Sequence, residues 1–119
     1  MLQKILILAF LVSPMAVQAQ DAEAGKKIFT TQKCNECHSV KSAGISKVEG
    51  SEDADKKERD DREPPDLSAV GLERKADWIE KYLQKKVEIK EKKHKKRFQG
   101  NDEERRTIAK WLESLKTKK

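Results

Sequence analysis

The stretch Cys34-Asn35-Glu36-Cys37-His38 sets two thiols three residues apart, with an imidazole directly after the second. This is the haem-attachment pattern C-x-x-C-H. Two thioether bonds must reach two vinyl groups on one edge of a porphyrin, and cysteines at i and i+3 of a helical turn point the same way. His38 then falls where one ring nitrogen can bind iron. Other uses of the two thiols are weaker. A thioredoxin-like redox pair needs an α/β scaffold, and no strand pattern flanks this one. A zinc site wants about four ligands, and beyond this motif His94 is the only other Cys or His in the chain. A plain disulfide leaves the adjoining histidine without a purpose.

The opening residues read as a removable export segment. Lys4 gives a positive start, Ile5 to Val12 is an apolar run, and Val17-Gln18-Ala19 offers small residues where a signal peptidase reads. Cleavage is predicted after Ala19, giving a signal peptide over 1–19 and one domain over 20–119. The apolar run is far shorter than the roughly 20 residues of a membrane span. No stable membrane insertion is expected after cleavage. Charged residues make up 40% of the chain and hydrophobic ones 35%, so the polypeptide alone is poorly equipped to offset its ordering entropy. An apolar cofactor disc would complete such a core, and the haem-free chain is expected to be largely unfolded. The net charge of +6 in an exported protein points away from nucleic acid and toward acidic partners.

Along the chain, Asp21 to Thr30 reads as a first helix with Asp21 as N-cap and Ala22, Ala24, Gly25, Ile28 and Phe29 as its apolar stripe. Gly25 weakens a helix, so close approach of a second helix is expected there. Lys47 to Glu63 holds thirteen charged residues in seventeen and reads as a solvated loop, within a charged insertion over 46–63. Pro64-Pro65-Asp66-Leu67 ends it, with Leu67 re-entering the core. A proline carbonyl there is a candidate to accept the ring N–H of His38 and fix its tautomer. Lys75 to about Val87 is a second helix, with Trp78, Ile79, Tyr82, Leu83 and Val87 on one face. Trp78 and Tyr82 read as haem-packing residues. Asn101 to about Leu115 is the last helix: Asn101 and Glu104 make a capping-box-like pair, and Ile108, Trp111, Leu112 and Leu115 form the buried stripe.

In this order, the residues resemble a small class I cytochrome c over nearly all of residues 20–119. Gly25 and Phe29 stand in the first helix, and the motif follows at Cys34, Cys37 and His38. Pro65 and Leu67 match the family's proline–leucine turn. Phe98 and Gly100 match the end of its distal loop, and Ile108 and Trp111 the positions that cross the first helix. The resemblance implies an all-α fold of three main helices around one covalent haem c, and attachment in the bacterial periplasm. One departure stands out. The family's usual distal ligand is a methionine two or three residues before the loop's aromatic, where this chain has Lys95 and Lys96. Its only methionines are Met1 and Met15, both in the predicted signal. The remaining distal candidates are His94, Lys95, Lys96, water or an open position. A lysine must first lose a proton, at about 4–5 kcal/mol near pH 7, whereas a histidine is already mostly neutral. His94 is therefore favoured.

These readings predict a soluble, monomeric periplasmic electron carrier rather than an enzyme, with a lower potential than histidine–methionine ligation gives. The residues expected to touch the cofactor are Cys34, Cys37, Pro65, Leu67, Trp78, Tyr82 and Phe98, with His38 and His94 on iron. Between Gln84 and Phe98 eight Lys or Arg stand against two Glu, a stretch suited to docking acidic redox partners. The alternative is a binder or sensor of NO or CO with an open distal site, where weak peroxidase-like activity could also arise.

Overall fold

A computed structural model describes residues 15–48 and 64–118. Residues 1–14, and with them most of the predicted export segment, lie outside it, as does 49–63 of the predicted insertion. Three α-helices carry the fold: α1 (Met15–Thr31), α2 (Ala76–Leu83) and α3 (Asp102–Ser114). Three short 3-10 turns, Cys34–Glu36, Lys41–Ala43 and Val70–Leu72, lie between α1 and α2. The described residues contain no strand, only two isolated bridges, Val40 with Ile45 and Ile89 with Lys92.

Helix α1 begins upstream of the predicted start. Nothing from Ala16 to Gln20 breaks a helix, and Pro14 is the nearest residue in sequence that would. Asp21 therefore lies inside α1 and is not its N-cap, and the predicted cleavage position falls within the same helix. Gly25 and Phe29 are buried, Ala22 and Ile28 partly so, and Ala24 turns to solvent.

Helix α3 packs against both α1 and α2. Its start is set as the sequence predicts: Asn101 Oδ1 accepts the Glu104 N–H at 2.8 Å, and the Asn101 amide donates to Glu104 Oε1 at 3.0 Å. Ile108, Ala109, Trp111 and Leu112 form its buried stripe and meet Phe29, Val40 and Ile79 in the core. Phe29 and Trp111 pack edge to face, ring centroids 5.7 Å apart. Arg105 ties α3 to α2 through Glu80 at 3.6 Å.

Helix α2 ends four residues before the predicted Val87. Lys85 takes a left-handed conformation, φ 59°, the Lys86 N–H reaches back to Lys81 O at 2.8 Å and the Lys85 N–H to Tyr82 O at 3.1 Å. This is a Schellman stop built without glycine. Its other end is held from outside: the Ala76 N–H donates to a Glu113 carboxylate oxygen of α3 at 2.5 Å. Gly71 sits so close to the end of α3 that a Cβ would overlap the Glu113 carbonyl.

Candidate functional site

Helix α1 stops where Lys33 turns left-handed, φ 59°. The chain then winds tightly: the Cys37 and His38 N–H groups both donate to Cys34 O, at 3.2 and 2.9 Å. Cys34, Cys37 and His38 thus share one helical turn, all half-buried, with both thiols free. Burial pushes the Cys34 thiol up to about 11. A reactive C-x-x-C pair works through a depressed thiol pKa, so the environment argues against a redox dithiol.

His38 Nδ1 lies 2.9 Å from Pro65 O. A carbonyl only accepts, so Nδ1 carries the proton and Nε2 keeps its lone pair. The proline turn is itself anchored to the motif. Leu67 N–H donates to Ser39 O at 2.9 Å. The Asp66 carboxylate accepts from Ser39 Oγ at 2.7 Å, Lys41 N at 3.0 Å and Ser68 N at 2.9 Å. Burial alone would raise the Asp66 pKa; the Ser68 and Ser39 hydroxyls and the Ser68 and Lys41 N–H groups outweigh it and hold the carboxyl well below the usual range.

On the opposite side, Ile89 and Lys92 exchange two backbone hydrogen bonds around Lys90 and Glu91, both at positive φ. That tight turn leads into His94. The loop returns to α2 where the Phe98 N–H donates to Leu83 O at 3.1 Å. His94 is half-buried, and its Nδ1 lies 2.5 Å from Lys96 O, so its Nε2 is also left as the acceptor. Lys95 is exposed, and Lys96 Nζ pairs with Glu36 of the motif at 3.3 Å.

The two imidazole rings lie near one another, centroids 6.3 Å apart and planes within 10° of parallel. A metal–imidazole bond is about 2.0 Å and a ring nitrogen lies about 1.2 Å from its ring centre, so a linear axis through one metal ion sets the centroids about 6.4 Å apart. The gap fits. Burial holds both pKa values below that of an ordinary histidine, with the Lys85 charge adding to the effect at His94. Neutral imidazole is the form that binds metal. Among the described residues no cluster of three or more His, Cys, Asp or Glu could hold a metal ion; the two imidazoles are the nitrogen donors brought near one another.

The family model for cytochrome c matches residues 22–116. The chain belongs to the cytochrome c family. The family's domain carries covalently bound haem c, which supplies a one-electron iron couple, and its role is electron transfer. No curated protein and no solved structure matches the chain.

The remaining predicted contacts of this cytochrome divide between core and site. Leu67, Trp78 and Phe98 are partly buried against the core. Trp78 and Tyr82, one helical turn apart on α2, stack at 5.0 Å with 20° between planes. Tyr82 meets His94 edge to face at 5.2 Å and 65°. The Arg74 guanidinium lies 4.0 Å above the Trp78 ring. Arg74 and Glu36 carry no local pattern that marks them as part of the site. Asp66 between Pro65 and Leu67 was the one readable signal, since a carboxylate in a turn seeks backbone N–H groups.

Proposed function

We propose that this cytochrome is an exported electron carrier whose haem is stapled by Cys34 and Cys37, with iron held between His38 and His94. The observation that carries the reading is the near-parallel pair of imidazoles, 6.3 Å apart, each with Nδ1 on a backbone carbonyl and Nε2 free. Such carbonyl partners fix the tautomer and raise ligand basicity. Lys96 is engaged with Glu36, and Lys95 faces water, so neither competes well. Two nitrogen ligands lower the potential relative to histidine–methionine ligation.

Export rests on the sequence of residues 1–19. Among the described residues no helix is long and apolar enough to cross a membrane. Lys86, Lys90, Lys92, Lys93, Lys95, Lys96 and Arg97 are all exposed on the loop that carries His94. That surface suits an acidic redox partner, brought in by long-range attraction.

Absorption spectroscopy and redox titration of the purified holoprotein and of His94→Ala test the reading. Expected are a six-coordinate low-spin ferric spectrum without a methionine–iron charge-transfer band, a low midpoint, and conversion toward high spin in the variant. A high-spin spectrum in the unaltered protein would favour an open site that binds small ligands.

A further inference from the structure

We propose that Tyr82, backed by Trp78 and Arg74, is a positioning residue that holds the His94 imidazole plane parallel to that of His38. The inference rests on the His38–iron–His94 reading and goes beyond it, from which residues bind to how one of them is oriented.

The 2.5 Å contact to Lys96 O comes from the same loop as His94, so it moves with the ring. It fixes one edge of the imidazole and leaves the ring able to swing about that edge. Tyr82 belongs to α2, which is anchored independently: Ile79 is buried in the core, Glu80 meets Arg105 of α3, and Ala76 N–H is held by Glu113. Its ring meets His94 at 65° and 5.2 Å, so rotation of the imidazole drives one ring into the other. Tyr82 cannot easily retreat, because Trp78 stacks against it at 5.0 Å and Arg74 covers Trp78 at 4.0 Å. Arg74, Trp78, Tyr82 and His94 thus form one continuous column of side chains. The result is the 10° angle between the two imidazole planes.

That angle has an electronic consequence. The filled π orbital of an imidazole stands perpendicular to its ring. Two parallel rings act on the same iron d orbital and split the pair. Two perpendicular rings act on one each and leave them nearly equal. The first case gives a rhombic ferric resonance with three separated g values, the second a single very large one.

Electron paramagnetic resonance of the ferric holoprotein is the test, with the optical spectrum recorded on each sample. The unaltered protein is expected to be low-spin and rhombic. Tyr82→Phe keeps the ring edge and should keep the same g values. Tyr82→Leu should stay low-spin while its largest g value rises and broadens. Trp78→Leu, which frees the back of Tyr82, should give a smaller rise, and it serves alone if Tyr82→Leu does not hold haem. A low-spin unaltered protein with one very large g value would overturn the plane inference and leave two-histidine ligation standing. Unchanged g values in the leucine variants would overturn the role of Tyr82. A high-spin unaltered protein would remove the ligation reading, and this inference with it.

Discussion

Gly25 of α1 lies directly against the Cβ and Cγ of Trp111 of α3, where any side chain on residue 25 would overlap the indole. The contact sets how closely the two helices cross. Gly25→Ala gains about 1 kcal/mol of helix propensity but forces the crossing apart, a strain of about 1–3 kcal/mol. A net loss of stability is expected in chemical denaturation of the holoprotein, with the haem spectrum retained under native conditions. An unchanged midpoint would mean that α1 and α3 can separate at little cost.

The Asp66 carboxyl is held below its ordinary pKa by the hydrogen bonds it accepts. A group depressed on folding contributes stability above its unfolded pKa, near 3.9, and loses it as the pH falls toward the lower folded value. Asp66→Asn should therefore be less stable than the parent at pH 7, with the difference shrinking below about pH 4. Solvent screens this largely open site, so the hydrogen bonds matter more than the charge. Parallel acid-unfolding curves, with a constant gap from pH 7 to pH 2, would contradict the assignment.

Lys85 adopts φ 59° at the end of α2, a conformation that costs a residue with a Cβ about 1 kcal/mol or more relative to glycine. Lys85→Gly should raise stability by about that amount. The gain should appear as a higher denaturation midpoint with an unchanged slope. A loss would show that the side chain of Lys85 does more in the folded protein than its backbone strain costs.

Glu113 reaches from α3 to the first N–H of α2 at Ala76. A carboxylate at a helix N-terminus both accepts the unpaired N–H and meets the positive end of the helix dipole. Glu113→Ala should cost about 1–2 kcal/mol, and Glu113→Gln less, since the amide oxygen can still accept. Equal losses in both variants would assign the effect to charge alone.

Reduction by an acidic partner protein should slow as salt is added, because exposed charges are screened beyond about 8 Å at physiological ionic strength. Charge-reversal at Lys92 and Lys93, both exposed, should flatten that dependence. A rate insensitive to salt in the parent would remove docking through this loop.

The parts of the site legible in the sequence were those whose chemistry fixes a short spacing or a single residue type. The turn at Cys34–His38, the Pro65 carbonyl on His38, the Asn101 cap and the tight crossing at Gly25 all follow from local requirements. The ends of α1 and α2 did not. Asp21 has the right chemistry for a cap, but the residues before it continue the helix equally well. The stop at Lys85 uses a lysine where glycine would have announced it. The Glu113–Ala76 contact and the fit of Gly71 beneath α3 join residues far apart in sequence, and no pattern along one segment encodes them. The approach of the His94 ring to His38 depends on α2 and the returning loop together, which no single segment encodes.

Gly71 N–H donates to Leu115 O at 2.8 Å, and Thr117 N–H to Ser68 O at 3.0 Å. Ser68 in turn meets both Asp66 and Ser42. The turn that orients His38 is thus stitched shut by residues made some fifty positions later. A nascent polypeptide carries its C-x-x-C-H motif long before residue 117 leaves the ribosome, so the final setting of the His38 ring is among the last events of biogenesis.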